Sequence, residues 1–232
     1  EARDIQLSIL PVEPPIFAGY DIHGESRPAD VVGGDLFDYI PQSHRLLGVA
    51  VADASGHGLP AALQARDVIT GMRMGMSESL KIISAIERLN RVIHQSRLSS
   101  RFVSLFYGEI ESNGNFIYCN AGHPPALHLH NGGFTEMTLG GMVLGPKLDA
   151  TYERGFGVLA PGDYVVMYTD GVTEAAGHGD KEYGLSRFKT LVKRHVGRSA
   201  REMVRVIFED LAAFTGTTPQ TDDRTVVVIR RI

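Results

Sequence analysis

The chain has 232 residues, of which 43% are hydrophobic and 22% charged, and its formal net charge is −4. This length and composition are typical of one globular core, and they exclude a disordered or fibrous chain. The negative charge, without any dense run of Lys or Arg, argues against nucleic acid or an anionic membrane as a partner.

Cysteine usage and hydropathy indicate the cellular setting. The single cysteine, Cys119, cannot form an intrachain disulfide, and its apolar neighbours favour a place in the core. No apolar stretch reaches the roughly 20 residues that span a bilayer, and no signal peptide opens the sequence. We therefore expect a cytoplasmic location and no membrane contact in this segment.

The first predicted element is a short amphipathic helix at residues 1–10, which Pro11 ends. The Pro-rich stretch that follows predicts a linker, so we divide the chain into a connecting segment, 1–15, and a folded domain, 16–232. The helix-like start at Glu1 suggests that this domain is the C-terminal part of a longer protein.

Strand and helix patterns then alternate in groups. Apolar runs predict three strands, at about 17–24, 35–40 and 46–53, with a tight bend at Gly33-Gly34 before the second. Helical spacing follows at about 59–76 and 80–96.

Strand patterns return in VSLFYGEIE, NFIYCNA, ALHLHN and DYVVMYT, and Asn113-Gly114 predicts a hairpin between the first two. We expect these strands to be antiparallel neighbours. Two further helices are predicted at about 184–196 and 199–214, before a closing strand from Thr225 to Ile229. Clustered strands with paired helices favour an α+β layered fold whose helices cover the outer faces of the sheets.

Aspartates recur at the ends of the apolar strands. They lie in GGDLFD (Asp35, Asp38), VAVADASGHG (Asp53), YVVMYTDGV (Asp170) and TDDRTVVVI (Asp222, Asp223). Carboxylates gathered in this way repel one another unless cations neutralise them, and hard oxygen donors suit Mg²⁺ or Mn²⁺. Each Asp-Gly or Asp-Ala step taken alone is more typical of a simple turn. The combination favours a metal-dependent hydrolase.

The flanking residues carry a more specific pattern. Gly-Gly-Asp, Asp-x-Ser-Gly-His-Gly, Thr-Asp-Gly and Asp-Asp-x-Thr occur in one chain and in this order, together with NAGHPPALHL at 120–129. This pattern resembles the bacterial metal-dependent Ser/Thr protein phosphatases of the SpoIIE and RsbU kind, in the PPM superfamily. The resemblance covers nearly the whole chain from residue 16 onward. It implies a layered αββα sandwich, in which two mainly antiparallel sheets are flanked by helices.

The resemblance also implies a site. It would be a centre of two Mn²⁺ or Mg²⁺ ions whose ligands are Asp35, Asp53, Asp170, Asp222 and the backbone carbonyl of Ala54. Asp223 is left open as a ligand or an orienting residue, and an ordinary exposed strand acid is the favoured reading of Asp38. The aspartates would act through metal-activated water, so that phosphoserine or phosphothreonine is hydrolysed without a covalent intermediate.

Relatives of this kind imply partners as well. The expected substrate is a phosphorylated regulatory protein, an anti-sigma-factor antagonist of the STAS type, in a partner-switching pathway of the stress-response kind. An upstream sensor domain and a homodimer both stay open.

The histidines are read as structural. Ser55 stands at the loop position where distant relatives carry a histidine proposed as general acid. His57 lies two residues later, so we assign it no such role and read it as a polar loop residue. His123 is read as part of a turn, since no Cys or His cluster has the spacing of a zinc site. His128 and His130 share one face of a predicted strand, and we expect both to be exposed.

Two other functional classes remain as alternatives. Residues 56–61 fit the dinucleotide-binding pattern G-x-G-x-x-A after a strand. Asp53 would repel a pyrophosphate there, Pro60 interrupts the motif, and no β-α-β alternation follows. The second alternative is a phosphatase-like docking module without catalysis, against which the complete set of acidic positions argues.

Overall fold

The computed structural model describes residues 10–56, 58–76, 81–96, 102–179 and 181–232. The predicted N-terminal helix, apart from its final residue, and His57 lie outside the described residues.

The described residues form eleven strands, and their bounds agree with the predicted ones to within about three residues wherever a strand was predicted. They are β1 (Tyr20–Arg27), β2 (Asp35–Ser43), β3 (Leu46–Ala54), β4 (Val103–Glu111), β5 (Asn115–Ala121), β6 (Ala126–His130), β7 (Gly133–Met137), β8 (Gly140–Gly141), β9 (Gly155–Val158), β10 (Tyr164–Tyr168) and β11 (Arg224–Arg231). The pattern of apolar residues did not predict β7, β8 or β9.

Four longer helices and one single turn accompany these strands in the same part of the chain. They are α1 (Gly58–Gly75), α2 (Ile82–Gln95), α3 (Asp170–Thr173), α4 (Leu185–Arg194) and α5 (Ala200–Thr215). Helix α5 begins with a capping box in which Ser199 and Glu202 satisfy each other's backbone N–H groups. None of the helices in the described ranges is long and apolar enough to cross a membrane.

The strands form two sheets. The first sheet has the order β1-β11-β10-β6-β7, and the second has the order β2-β3-β4-β5-β8, with β9 added to β5. All pairings are antiparallel except that of β5 with β8. The predicted hairpin at Asn113-Gly114 joins β4 and β5, whereas β6 and β10 lie in the other sheet.

Three apolar layers hold this arrangement together. Side chains such as Val49, Phe106 and Val227 fill the space between the two sheets. The outer face of the second sheet packs on α1 and α2, and that of the first sheet packs on α4 and α5. Cys119 is fully buried, as predicted. The molecule is therefore the expected αββα sandwich, with both faces of each sheet covered.

Candidate active site

The predicted site residues lie where the two sheets meet at one end of the sandwich. Asp35 opens β2 and faces Asp53 near the end of β3, because the two are directly paired in the antiparallel register. Asp170 follows β10, and Asp222 precedes β11 in the other sheet. Since β10 and β11 are antiparallel neighbours, the end of one and the start of the other reach the same edge.

Hydroxyl groups from the first sheet bind the Asp35 carboxylate of the second. Asp35 is 4% exposed, and its Oδ2 accepts hydrogen bonds of 2.7 Å from Thr169 Oγ1 and from Thr225 Oγ1. Thr169 Oγ1 in turn accepts the backbone N–H of Thr225 at 3.0 Å. These contacts cross between the sheets, so the position of Asp35 depends on the packing of both.

Asp223 holds the loop before β2. Its Oδ1 accepts the N–H of Ala29 at 2.8 Å, and its Oδ2 accepts the N–H groups of Gly34 at 2.6 Å and Asp35 at 3.3 Å. A carboxylate whose two oxygens both accept hydrogen bonds from backbone N–H groups is well suited to orient a loop. The backbone of Asp223 donates to Asp222 Oδ1 at 2.9 Å, which links the two adjacent acids.

Glycines permit these close approaches. A Cβ atom on Gly34 would lie 2.4 Å from the carbonyl oxygen of Ala54, and one on Gly33 would lie 2.0 Å from Asp223 Oδ2. A Cβ atom on Gly171 would lie 2.0 Å from the Asp223 carbonyl oxygen. The Gly-Gly-Asp and Asp-Gly sequences are therefore needed for packing around the carboxylates and not only for turning the chain.

The carboxylates influence one another electrostatically. Burial raises the pKa of Asp53 to about 7, and the charges of Asp170, Asp222 and Asp223 add to the shift. Burial, followed by the charge of Asp53, raises the pKa of Asp35 well above its usual range. Burial and the charge of Asp170 also raise the pKa of Asp222. Ionisation of this cluster is thus unfavourable unless positive charge is supplied.

The donor set fits a hard divalent cation. All the candidate side chains offer carboxylate oxygen, and their mutual repulsion is the kind that Mg²⁺ or Mn²⁺ relieves. Among the residues that the structure describes, no three acidic, imidazole or thiol side chains already converge as a ready-made metal cage. The ligand assignments therefore stay predictions, although the carboxylates share one edge of the sandwich.

Two predictions about other side chains are wrong. Asp38, expected to be exposed, is 1% exposed, and it accepts two hydrogen bonds from Arg73, at 2.7 and 2.9 Å. His128, also expected to be exposed, is 8% exposed and contacts Asp163 Oδ2 at 3.1 Å. In each case the residue lies on a strand face that the rest of the fold covers. His128 and His130 do share a face, with ring centroids 4.7 Å apart.

His123 lies deeper than a turn residue would. It is 4% exposed, its Nδ1 is 2.7 Å from Ser104 Oγ, and Asn120 bonds to its backbone N–H and carbonyl groups. Ser104 is the register partner of Asp53, so this buried pair adjoins the carboxylates.

Thr169 and Thr225 had no predicted role, although both of them are hydrogen-bond partners of Asp35 in the structure. Both threonines belong to the quoted motifs, in Thr-Asp-Gly and Asp-Asp-x-Thr. A threonine within two positions of an aspartate in each of the two motifs was therefore the available indication in the sequence. Strand pairing between β10 and β11, which brings the two threonines together, was not evident from the sequence.

Known proteins are similar to this chain in sequence. The family model for stage II sporulation protein E (SpoIIE) matches residues 43–232. The phosphoserine phosphatase RsbU of Bacillus subtilis is 30% identical over 99% of this chain and 69% of its own length.

Solved structures of other proteins have a similar fold. The RsbU and RsbW domains of Rv1364c from Mycobacterium tuberculosis match with a TM-score of 0.78 and 28% identity, over 94% of this chain and 61% of that one. The SiaA-PP2C domain of Pseudomonas aeruginosa matches with a TM-score of 0.86 and 23% identity, over 99% and 94%, and supports the fold. The chain therefore belongs to the SpoIIE family, a group of protein serine/threonine phosphatases with the PP2C-type fold of the PPM superfamily.

Proposed function

We propose that this chain removes phosphate from phosphoserine or phosphothreonine on a regulatory protein, with two Mn²⁺ or Mg²⁺ ions as cofactors. One observation carries the proposal. Carboxylates from both sheets gather at one edge, and burial together with mutual repulsion raises the pKa of several of them. Such a cluster gains most from bound divalent cations.

We assign different roles to the residues of the site. Asp35, Asp53, Asp170, Asp222 and the carbonyl of Ala54 would hold the ions. Asp223 was left open between ligand and orienting residue, and its contacts with the backbone of residues 29–35 favour the orienting part.

When bound, divalent cations supply Lewis acidity toward phosphoryl oxygens and increase the acidity of water. The chain's own contribution is to fix the donors before the substrate arrives. The hydroxyls of Thr169 and Thr225 hold Asp35 in place, and the N–H of Gly171 binds Asp170 Oδ1 at 2.9 Å. Asp222 is only partly buried and keeps solvent-exposed surface, so the substrate can approach the carboxylates from that side.

The substrate class is supported by the relatives. Bacillus subtilis RsbU is named a phosphoserine phosphatase, and the Mycobacterium protein combines RsbU and RsbW domains in one chain. We therefore propose a STAS-type anti-sigma-factor antagonist as the phosphoprotein. The division at residues 15 and 16, an upstream sensor and a homodimer stay predictions of the same kind.

A turnover assay tests the proposal. The wild-type chain should release phosphate from a phosphoserine STAS protein with Mn²⁺ and should stop when EDTA is added. Asp53→Asn should reduce the rate by at least about a hundredfold, since it removes a proposed ligand. Asp67→Asn, at an exposed helical aspartate, is the control and should keep the wild-type rate. Full activity in Asp53→Asn would rule out the assigned site.

The same measurements separate the alternatives. A silent docking module would bind the phosphoprotein but release no phosphate from it or from p-nitrophenyl phosphate. Dinucleotide binding lacks structural support, because β3 and the strands beside it are antiparallel and form no β-α-β unit.

A further inference from the structure

Two arginines lie side by side in the first sheet, at the strand ends close to Asp222. Arg27 ends β1, Arg224 begins β11, and the two are directly paired in the antiparallel register. The side chain of Arg224 makes no hydrogen bond or salt bridge within the described ranges, and its Nε is buried without a partner. A half-buried guanidinium whose Nε has no hydrogen-bond partner would be stabilised by an anion from outside the chain.

The rest of the fold fixes this pair in place. The Arg27 guanidinium lies 4.0 Å from the ring centroid of Phe208, and its Nε donates to Glu25 at 2.7 Å. The amide of Gln220 donates to the carbonyl groups of Arg27 and Asp222, both at 2.8 Å. The distance between the arginines and the carboxylate site is therefore set by direct contacts and does not depend on a free loop.

The side chains of Arg27 and Arg224 leave their strands on the face opposite to the one that meets the Asp35 carboxylate. Thr225 points between the sheets, where it reaches Asp35. Arg224 is the preceding residue, so its side chain leaves the opposite face of β11, the face that packs on α5. Arg27 also lies on that face, over Phe208 of α5. An anion bound here would be a neighbour of the reacting phosphoryl group and not that group itself.

We propose that Arg224, together with Arg27, binds a carboxylate side chain that flanks the phosphorylated residue of the protein substrate. The planar guanidinium fork matches the two oxygens of a carboxylate, and a pair of arginines selects such a group over a neutral one. This subsite rests on the proposed function and extends it to substrate selection.

Two phosphoserine peptides that differ only in their flanking residues, acidic in one and neutral in the other, test the subsite. The wild-type chain should show the higher kcat/KM on the acidic peptide. Arg224→Gln should lose about tenfold of that preference, the effect of one charge-assisted contact. Arg224→Glu should prefer a third peptide with lysines in the flanking positions. The melting temperature of each variant confirms that it is folded.

Arg230→Gln is the matched control. Arg230 lies on the same face of β11, its Nε is likewise buried without a partner in the described structure, and it is paired with Asp21 at the far end of β1. It should keep the wild-type preference. An unchanged preference in Arg224→Gln would overturn the proposal. An equal loss on both peptides and on p-nitrophenyl phosphate would overturn it too, because the guanidinium would then act on the reacting group.

Failure of the proposed function gives a different result. If the wild-type chain hydrolyses none of these substrates with Mn²⁺, phosphatase activity is disproved. The subsite is then tested by the fluorescence anisotropy of labelled acidic and neutral peptides. Preferential binding of the acidic peptide that Arg224→Gln removes supports the subsite, and equal binding of the two peptides by the wild-type chain contradicts it.

Discussion

The Thr169 hydroxyl connects a carboxylate of one sheet with the backbone of the other. It donates to Asp35 at 2.7 Å and accepts the N–H of Thr225 at 3.0 Å. Thr169→Val keeps the shape but leaves both groups with an unmade bond, so we expect the free energy of unfolding to fall by about 1–3 kcal/mol. Mn²⁺ binding should weaken as well. Urea unfolding and calorimetric titration measure the two effects.

The conservative variant provides the control for this substitution. Thr169→Ser keeps the hydroxyl group, so its stability and Mn²⁺ affinity should stay near those of the wild type. If Thr169→Val behaved like Thr169→Ser in both measurements, the hydroxyl contact would have no part in positioning Asp35.

His123 makes stability sensitive to acid. Burial lowers its pKa to about 3, against 6.5 for the unperturbed group, and the Tyr168 carbonyl opposes the shift. The folded state thus favours the neutral ring. This contribution to stability is complete above the unfolded pKa and is lost as the pH falls from 6.5 toward 3.

We therefore expect the wild-type chain to lose about 2 kcal/mol of unfolding free energy through this group between pH 7 and pH 5. His123→Asn should remove that part of the pH dependence, whatever its own stability at pH 7. His178→Asn, at an exposed histidine, is the control. Urea unfolding at the two pH values gives the difference, and equal losses in wild type and His123→Asn would contradict the prediction.

At the scale of elements, one ion pair joins β2 to α1. Asp38 is buried under the helix, while the side chain of Arg73 stays 49% exposed. Arg73→Met would leave the carboxylate buried without its partner, which costs about 3 kcal/mol of unfolding free energy. Asp38→Asn combined with Arg73→Met should recover a large part of that loss, because no charge then remains buried. A double-mutant cycle in urea tests this, and strictly additive losses would contradict it.

The sequence predicted whole elements better than it predicted which of their faces are covered. β4 and β5 have the predicted bounds, because their apolar runs end at clear turn residues. Asp38 and His128 were misplaced because alternation along a strand does not show that both of its faces are packed. The strands β7, β8 and β9 are short and glycine-containing; β7 forms a hairpin with β6, whereas β8 and β9 pair with β5, which lies well before them in the sequence.

The candidate site was predicted in the same uneven way. The acids were visible because they end apolar strands within ordered motifs. The sequence did not show which acid would face a cation and which would contact the backbone. The contacts of Asp223 with residues 29–35 depend on how the two sheets meet. The hydroxyls of Thr169 and Thr225 depend on the same packing.

At the scale of the whole molecule, the acidic cluster reduces the stability of the metal-free protein at neutral pH. A raised carboxylate pKa contributes stability that is present below the unfolded pKa and is lost as the pH rises, here from 3.8 to about 7 for Asp53. In EDTA, we expect the free energy of unfolding to fall by about 2 kcal/mol through Asp53 between pH 5.5 and pH 8. Saturating Mn²⁺ at pH 8 should restore stability.

Asp53→Asn separates the effect of the acidic cluster on the stability of the metal-free protein from its effect on the response to Mn²⁺. It should raise the melting temperature of the metal-free protein at pH 8, because one buried charge is gone, while it weakens the response to Mn²⁺. Differential scanning calorimetry with EDTA and with Mn²⁺ measures both. A lower metal-free melting temperature in Asp53→Asn, compared with the wild type at pH 8, would contradict this account.

The contact between Asp223 and Gly34 joins residues that are 189 positions apart in the sequence. β11, which follows Asp223, lies inside the first sheet between β1 and β10 and not at its edge. During synthesis, β1 and β2 therefore emerge long before the strand that completes their surroundings. Closing so long a loop is slow, and β1 has no strand partner in its sheet until β11 is made, whereas β2 can pair with β3 at once. The surroundings of Asp35, which include Asp223 and Thr225, are therefore complete only when this last segment of the chain has been made.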